Sequence, residues 1–260
     1  MDALRENEYL DEKDGLIHCS ICHEPLQVRS VCEAINRDRI VRCVCKCKNP
    51  NADFRDRQKQ QERERQRKNC FKEAEMFDWN FKNDDRSNEK MSDVMQNYVN
   101  DFTDHKQNKQ GLLLYGEVGT GKTYHAACVA NALIDKDFKV IFRTFREIER
   151  ELWDSNKQTY MNWLNNCSLL ILDDLGVERS SEYMQEIVFD VIDTRYKKGL
   201  PLMITTNLSI EEIKKPEELG RKRIYDRILE RCFPIEVSGA SRRRQKVKET
   251  FFDTKEKLGL

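Results

Sequence analysis

The chain has 260 residues, and its 46 lysines and arginines balance its 46 aspartates and glutamates, so the net charge predicts no partner. The length fits one Rossmann-sized domain with a smaller module, or two small domains. No run approaches the roughly 20 apolar residues that a membrane-spanning helix needs, and the acidic, polar N-terminus lacks the pattern of a secretory signal. These features exclude a membrane protein and a secreted one, and we expect a cytoplasmic protein with no membrane partner.

Cysteines are concentrated at the start of the chain, where six of the ten lie within the first fifty residues. In a chain without a secretory signal, they favour metal ligation or simple burial over disulfides. Cys19 and Cys22 are spaced C-x-x-C, which lets one turn offer two thiolates to Zn²⁺. The second half of the site is less regular, because Cys43, Cys45 and Cys47 compete for two places. We therefore predict a zinc site made from four of these five cysteines.

Other ligand sets for this site stay open. His18, His23 or Cys32 could replace a cysteine, and the thiols could also remain free and reduced. A segment of about fifty residues with little apolar content hardly folds on a core alone, which favours a structural metal. With eight basic and nine acidic residues, the segment is not notably basic, so a protein partner fits it at least as well as a nucleic acid.

A charged helix is predicted next, because neither glycine nor proline occurs from residue 51 to residue 110. Residues 51–69 have the sequence NADFRDRQKQQERERQRKN, with weak amphipathicity and little apolar surface to bury. We interpret this segment as a solvated helical connector, with a nucleic-acid contact as the alternative.

From residue 111 onward, short apolar runs alternate with helical patterns. Four of the five runs are continuously apolar, as strands buried on both faces of a parallel sheet are. The runs are 111–116, 139–145, 168–174, 201–207 and 234–239, and helical segments lie at 123–135, 146–154 and 182–197. This alternation predicts an α/β domain with a parallel sheet.

The sequence GEVGTGKT follows the first of these strands and opens a helix, which is the setting that the phosphate-binding motif G-x-x-x-x-G-K-[ST] requires. Its glycines allow a tight turn whose backbone amides point at phosphates, at the positive end of the helix. Lys122 would reach the β- and γ-phosphates of ATP, and Thr123 would hold Mg²⁺ through its hydroxyl. The predicted nucleotide-binding residues of this loop are Gly116, Glu117, Val118, Gly119, Thr120, Gly121, Lys122, Thr123 and Tyr124.

Two carboxylates end the run LLILDD, fifty-one residues after Lys122. They belong at the C-terminal tip of a buried strand, where ligands bind in such sheets. Asp173 is suited to hold Mg²⁺ opposite Thr123, and Asp174 to orient or deprotonate the attacking water. A simple helix cap is the alternative, which the phosphate loop upstream disfavours.

Further polar residues follow the next strand. Asn207 ends PLMITTN, where it could hydrogen-bond the water or the γ-phosphate, or serve as an ordinary turn residue. Two arginine clusters come later, KRIYDRI at 222–228 and SRRR at 241–244. An arginine from either cluster could reach a γ-phosphate in its own or a neighbouring subunit, and such an arginine accelerates phosphoryl transfer by about 10³–10⁵-fold in known cases.

The order of these motifs resembles that of the DnaC/DnaI helicase loaders, in the form encoded by Gram-positive bacteria, their prophages and phages. The resemblance is carried by GEVGTGKT, LLILDDLG, TTN, KRIYDRILE and SRRR, after a zinc module and a charged helix. It spans nearly the whole chain and is closest from residue 111 to residue 244. It is weakest at the extreme N-terminus and in the connector.

The resemblance implies an AAA+ P-loop NTPase core with a five-stranded parallel sheet, preceded by the zinc-binding module and the charged helical connector. Lys122 and Thr123 match the Walker A positions, Asp173 and Asp174 the Walker B positions, and Asn207 the sensor 1 position. Since the Walker B pair is Asp-Asp rather than Asp-Glu, hydrolysis of ATP to ADP and phosphate is expected to be slow and stimulated by DNA or a partner.

Two arginines complete the roles that the resemblance implies. Arg227, in IYDR, matches the arginine finger that is supplied to an adjacent subunit. Arg243 matches the sensor 2 arginine, although SRRR allows a shift of one residue. The implied domains are a zinc-binding docking module at 1–50, a helical connector at 51–105, an AAA+ ATPase domain at 106–250 and a C-terminal tail at 251–260.

The resemblance also implies the partners and the cofactors. The N-terminal module would dock on the replicative hexameric helicase, the AAA+ part would bind single-stranded DNA, and copies of the chain would associate through the ATP site. The cofactors would be ATP, Mg²⁺ and Zn²⁺.

Two other functions remain possible for this chain. The first alternative is an IstB-like ATPase that assists a transposase on duplex DNA. The second is a small-molecule P-loop kinase, in which Asn207 and Arg227 would have no purpose.

Overall fold

The structure is a computed structural model that describes residues 4–32, 37–45, 47, 50–176, 182–242, 251, 255 and 257–258. The chain divides into two compact units, Met1–Glu62 and Arg63–Leu260. Within the part of the chain that the structure describes, no helix is long and apolar enough to cross a membrane.

The first unit is built from short antiparallel strand pairs. Strand β1 (Glu8–Leu10) pairs with β2 (Ile17–Cys19), and β3 (Gln27–Cys32) pairs with β4 (Arg37–Arg42). The buried side chains of its small core are those of Ile17, Cys19, Leu26 and Cys45. Two of these four are cysteines, so apolar burial alone stabilises this unit little, in agreement with a fold that depends on a metal.

Helix α1 (Pro50–Cys70) spans the division between the units and contains the charged segment for which a helix is predicted. Its described side chains are mostly exposed as far as Asn69, while Cys70 is buried at its end. The exposure follows from the sequence, since a helix that is polar on all sides has no apolar stripe to bury.

The second unit contains a five-stranded parallel sheet, as predicted. Its strands are β5 (Gly111–Tyr115), β6 (Val140–Thr144), β7 (Leu169–Leu175), β8 (Leu202–Thr206) and β9 (Cys232–Glu236). Their order across the sheet is β6-β7-β8-β5-β9, and every pairing is parallel. Strand β5, which precedes the phosphate loop, therefore lies between β8 and β9, and β7 lies on the other side of β8. This order brings the ends of β5, β7 and β8 to one edge.

Helices cover both faces of the sheet. In order they are α2 (Glu89–Asn100), α3 (Phe102–Gln107), α4 (Lys122–Asp135), α5 (Phe145–Trp153), α6 (Lys157–Asn165), α7 (Glu182–Lys198), α8 (Ile210–Lys214) and α9 (Leu219–Arg231). Side chains from α2, α3 and α4 form the core on one face, and side chains from α5, α6, α7, α8 and α9 form the core on the other. Along β5, Leu113 enters one core while Leu112 and Leu114 enter the opposite one, as strand geometry requires.

The core also includes a segment that comes before the sheet in the sequence. Phe71, Met76, Met91, Met95 and Phe102 are buried together with residues of β5 and α4. A 3₁₀ helix, Ala74–Asp78, lies in this segment. The second compact unit therefore begins well before residue 106, where the sequence predicts the start of the ATPase domain. The predicted domain boundaries themselves stay a prediction.

Candidate functional site

The loop between β5 and α4 is shaped by its glycines. Gly116, Gly119 and Gly121 have φ angles of 137°, 86° and 99°, which side-chain-bearing residues rarely adopt. A Cβ atom at Gly116 would lie 2.6 Å from the carbonyl oxygen of Val237, and one at Gly119 would collide with the hydroxyl of Ser241. Both the backbone conformation and the close packing therefore demand glycine here.

Lys122 lies back across this loop from the first turn of α4. Its Nζ donates to the carbonyl oxygens of Gly116, at 2.8 Å, and Glu117, at 2.7 Å, and its side chain is buried. These two contacts hold an ammonium group over the loop. A phosphate bound to the loop amides would meet this charge and the positive end of α4 together.

Thr123 and Asp173 meet across the gap between α4 and β7. The Thr123 Oγ1 donates to Asp173 Oδ1 at 3.1 Å, and the Thr205 hydroxyl from β8 donates to the same oxygen at 2.5 Å. Burial, reinforced by the neighbouring Asp174, raises the pKa of Asp173 to about 6, against the lowering effect of both hydroxyls and Lys122. A hydroxyl and a carboxylate oxygen in contact are hard ligands of the kind that Mg²⁺ takes, so this pair fits the cation that accompanies ATP.

Asp174 projects away from the sheet at the end of β7. Its φ angle is 58°, its side chain is exposed, and its backbone N–H donates to Thr205 Oγ1 at 3.0 Å. The register between β7 and β8 shifts between Leu172 and Leu175, so the strand bulges at the two aspartates. This bulge turns one carboxylate inward and the next one outward. Thr205 holds both aspartates in place, although no sequence pattern gives it a role.

A cavity of about 490 Å³, within the usual size range of ligand pockets, borders Lys122, Thr123 and Asp174, while Asp173 lies outside its described lining. The predicted residues Val118, Gly119, Gly121, Lys122, Thr123, Tyr124, Asp174 and Asn207 line it. Four residues that are not among the predicted site residues also line it: Glu73, Glu75, Trp79 and Arg242. Of these four residues, only Arg242 had a signal in the sequence. It belongs to the SRRR cluster, where the match to the sensor 2 arginine could shift by one residue from Arg243.

Among the arginines of the SRRR cluster, the structure describes Arg242, and this residue reaches the cavity. Its backbone N–H donates to the carbonyl oxygen of Gly119 at 3.0 Å, and its guanidinium lies 5.3 Å from the ring centroid of Tyr124. One guanidinium nitrogen also donates to Asp85 at 2.7 Å and to the hydroxyl of Ser87. Arg243, predicted to be the sensor 2 residue, lies outside the described residues.

Arg227 lies on α9 and does not belong to the described lining of this cavity. Its Nη2 is 2.9 Å from Asp193 Oδ1, and its guanidinium stacks over Phe189, 4.8 Å from the ring centroid, and over Tyr196, at 5.8 Å. All three contacts come from α7. The side chain therefore sits on the surface that α7 and α9 form together, and its predicted action on an adjacent subunit stays a prediction.

Four thiols converge in the first unit: those of Cys19, Cys22, Cys45 and Cys47 lie within 4.8 Å of one another. A tetrahedral zinc site with bonds of about 2.3 Å places its sulfur atoms about 3.8 Å apart, so the cluster fits Zn²⁺. Backbone hydrogen bonds from Cys22 and Ile21 lower the pKa of Cys19 to about 6, which favours the thiolate that a metal needs.

Two of the other candidate ligands, Cys43 and His18, have hydrogen-bond partners of their own. The Cys43 thiol donates to the carbonyl oxygen of Pro25 at 3.3 Å. His18 contacts Asp14 through Nε2 at 2.9 Å and the carbonyl oxygen of His23 through Nδ1 at 3.0 Å. The side chain of Cys32 lies outside the described residues. The arrangement therefore selects four of the five predicted cysteines and leaves Cys43 out.

Comparison with known proteins agrees with this geometry. A family model described as IstB-like ATP binding protein matches residues 47–250. The chain belongs to this family. The match covers α1 and nearly all of the second unit, so the family assignment includes the phosphate loop, both aspartates and Asn207. The core is accordingly an AAA+ P-loop NTPase fold, as the resemblance to the helicase loaders implies.

Three curated relatives have informative names. The replicative helicase loader DnaI of Bacillus subtilis is 30% identical over 148 residues, 52% of this chain and 48% of DnaI. The replicative helicase loader DnaC of Escherichia coli K12 is 29% identical over 137 residues, 50% of this chain and 54% of DnaC. A putative insertion sequence ATP-binding protein of Sinorhizobium fredii is 27% identical over 144 residues, 53% of this chain and 48% of that protein. Each match thus spans about half the length of the relative.

A solved structure agrees with these matches. The crystal structure of DnaI superposes with a TM-score of 0.57 and 25% sequence identity, over 68% of this chain and 99% of that one. The similarity to loaders is therefore found in both sequence and fold.

Proposed function

We propose that this protein is an ATP-dependent loader that binds the replicative hexameric helicase and helps to place it on single-stranded DNA. The observation that carries the nucleotide part is the contact between Thr123 and Asp173 beneath a buried Lys122, with Asp174 facing the same cavity. The similarity to DnaI and DnaC supports the loading part.

Five of the predicted side chains have a proposed role in hydrolysis. The loop amides and Lys122 bind the phosphates, Thr123 and Asp173 hold Mg²⁺, and Asp174 with Asn207 orients the attacking water. In-line attack by this water on the γ-phosphorus breaks the bond to the β-phosphate oxygen and gives ADP and phosphate. The chemistry depends on positioning and charge rather than on a covalent intermediate.

The neighbouring subunit supplies the remaining positive charge. Arg227 lies outside the cavity of its own chain and is half-exposed on the α7–α9 surface. We propose that it reaches the γ-phosphate of an adjacent copy, which makes hydrolysis depend on assembly. ATP favours the assembled state over the separated one only if it binds the assembled state more tightly. Hydrolysis removes ATP, so it would weaken the assembly and release the loader.

The zinc module is the proposed docking device for the helicase. Zn²⁺ held by Cys19, Cys22, Cys45 and Cys47 would join two separate stretches of a unit whose described core is small. Several large aliphatic side chains of this unit are exposed, among them Leu10, Ile21, Val28, Ile40 and Val44. Exposed apolar side chains of this kind favour a protein partner for the module.

A pair of exposed aromatic rings supports binding of single-stranded DNA. Trp153 at the end of α5 is 76% exposed and Tyr183 at the start of α7 is 46% exposed, with ring centroids 6.3 Å apart. Unpaired bases stack on such rings with about 1–3 kcal/mol per base. We propose that these two rings contact the DNA strand, and that Trp153→Ala weakens the affinity for single-stranded DNA about tenfold or more.

The alternative is an ATPase that assists a transposase on duplex DNA, which the family description and the insertion-sequence relative favour. The two functions predict different activators. Turnover of ATP should rise with single-stranded DNA and helicase in a loader, and with duplex DNA alone in a transposition helper. The measurement is phosphate release by the full chain with each activator, with Lys122→Ala as the inactive control. Stimulation by duplex DNA alone would replace the proposed function with the alternative.

A further inference from the structure

Helix α1 and one wall of the nucleotide cavity are joined through a single buried side chain. Asn131, on α4, is 1% exposed, and its amide nitrogen donates to the carbonyl oxygens of Met76 and Trp79, each at 2.8 Å. Its amide oxygen accepts a hydrogen bond of 3.1 Å from Nε of Arg67 on α1. One side chain thus connects three separate segments: α1, α4 and the stretch around the 3₁₀ helix.

The segment that Asn131 holds forms part of the cavity. Glu73, Glu75 and Trp79 line the same cavity as Lys122 and Thr123, and they flank or belong to the 3₁₀ helix Ala74–Asp78. Since Asn131 bonds to the last turn of this short helix and to the residue after it, the position of the wall depends on Asn131. The same residue lies on α4, whose first turn holds the phosphate-binding lysine.

The end of α1 is also fixed close to this wall. Arg143 donates to the carbonyl oxygens of Cys70, at 2.7 Å, and Asn69, at 3.2 Å, and so binds carbonyls that end the helix. Only Phe71 and Lys72 separate α1 from Glu73 of the cavity wall. Helix α1 and the wall are therefore connected both along the chain and across the Arg67–Asn131 contact.

We propose that Arg67 and Asn131 couple nucleotide binding to the position of helix α1. The proposal rests on the nucleotide site described under the proposed function. Coupling of this kind is reciprocal: a nucleotide that orders the wall also orders α1, and a partner that displaces α1 changes the affinity for nucleotide by the same factor.

The chain offers a matched control one turn earlier in the same helix. Arg63 forms an ion pair of 3.0 Å with Asp137, just beyond the end of α4, whereas Arg67 contacts both Asn131 and Asp135. Both arginines are partly exposed and pair with an aspartate near the end of α4. They differ in the contact with Asn131, so Arg63→Ala removes a comparable ion pair and keeps the proposed coupling.

The first test measures the affinity of the full chain for a fluorescent ATP analogue with Mg²⁺. Arg67→Ala should weaken binding about 5-fold, at the lower end of typical coupling, and Arg63→Ala should bind as the wild type does. Lys122→Ala reports on the site itself. If Lys122→Ala binds normally, the proposed nucleotide site is wrong; if it loses binding while Arg67→Ala binds as well as Arg63→Ala, the coupling is wrong and the site stands.

The second test uses hydrogen exchange of residues 63–70, with and without saturating Mg·ATP. The wild type and Arg63→Ala should show slower exchange of these amides with nucleotide, and Arg67→Ala should show no difference between the two states. A merely structural role would raise the exchange rate of Arg67→Ala equally in both states and keep the difference. Equal rates with and without nucleotide in the wild type would also overturn the proposal.

Discussion

Thr205 offers a sharp test of the site, because it contacts both aspartates and was not identified from the sequence. Its hydroxyl donates to Asp173 Oδ1 at 2.5 Å and accepts from the backbone N–H of Asp174 at 3.0 Å. Thr205→Val keeps the shape of the side chain and removes both contacts. The charged form of Asp173 then loses a donor that lowers its pKa, so the pKa rises further above its wild-type value of about 6.

The size of this effect follows from the hydrogen bond. A bond to a charged group is worth about 1.5–3 kcal/mol, and one pKa unit corresponds to about 1.4 kcal/mol, so a rise of about one unit is the conservative expectation. With a pKa of about 6, about half of Asp173 is ionised at pH 6; with a pKa about one unit higher, only about one-tenth is. Because Mg²⁺ needs the ionised form, kcat/KM for Mg·ATP should fall about 5-fold at pH 6 and about 2-fold at pH 7.

The assay is the pH profile of kcat/KM for ATP hydrolysis between pH 5 and pH 9, at a fixed Mg²⁺ concentration. Thr206→Val is the matched control, because Thr206 is equally buried and its hydroxyl bonds instead to the carbonyl oxygen of Leu175, at 2.7 Å, and the N–H of Leu208, at 3.1 Å. The acidic limb should move to higher pH only in Thr205→Val. An unmoved limb in Thr205→Val, or an equal shift in both variants, would show that the Thr205 hydroxyl does not lower the pKa of Asp173.

Three further predictions concern other groups of the two sites. Cys45→Ser should lose zinc and destabilise the first unit, whereas Cys43→Ser should retain about one Zn²⁺ per chain by elemental analysis; equal zinc contents in the two variants would contradict the ligand set. Asp174→Asn should bind Mg·ATP normally and hydrolyse it at least about 100-fold more slowly, since the water loses its orienting carboxylate; rapid-quench turnover checks this, and unchanged turnover would remove Asp174 from the mechanism. Arg227→Ala should be inactive alone but should regain turnover when mixed with Lys122→Ala, because each lacks what the other supplies; no recovery over a range of mixing ratios would argue against action in trans.

The sheet could be predicted from the sequence because local patterns determine it. A strand buried on both faces requires a continuous apolar run, and all five predicted runs form strands of the parallel sheet. The phosphate loop could be predicted equally well from the sequence, since its positive φ angles and its close contacts require glycine at fixed positions. Asp173 and Asp174 followed from their place at the end of such a run.

The rest of the cavity depends on contacts between distant parts of the chain. Trp79 reaches the cavity because Asn131, fifty-two residues later, binds its carbonyl oxygen, and no local pattern indicates such a contact. Arg242 reaches it because its backbone bonds to Gly119, which the repeated arginines of SRRR do not reveal. In the same way, cysteine spacing left five candidates for four places, and the contact of Cys43 with Pro25 distinguishes them.

The central claim is that this ATPase-like chain docks on a replicative helicase through its cysteine-rich module. The measurement is co-purification of this chain with the cognate hexameric helicase, with and without ATP, beside a Cys19→Ser/Cys22→Ser variant, with nucleotide binding by the variant as the control for its second unit. We expect a stable complex with the wild type and none with the double variant. No complex under any nucleotide condition, together with turnover stimulated by duplex DNA, would contradict it.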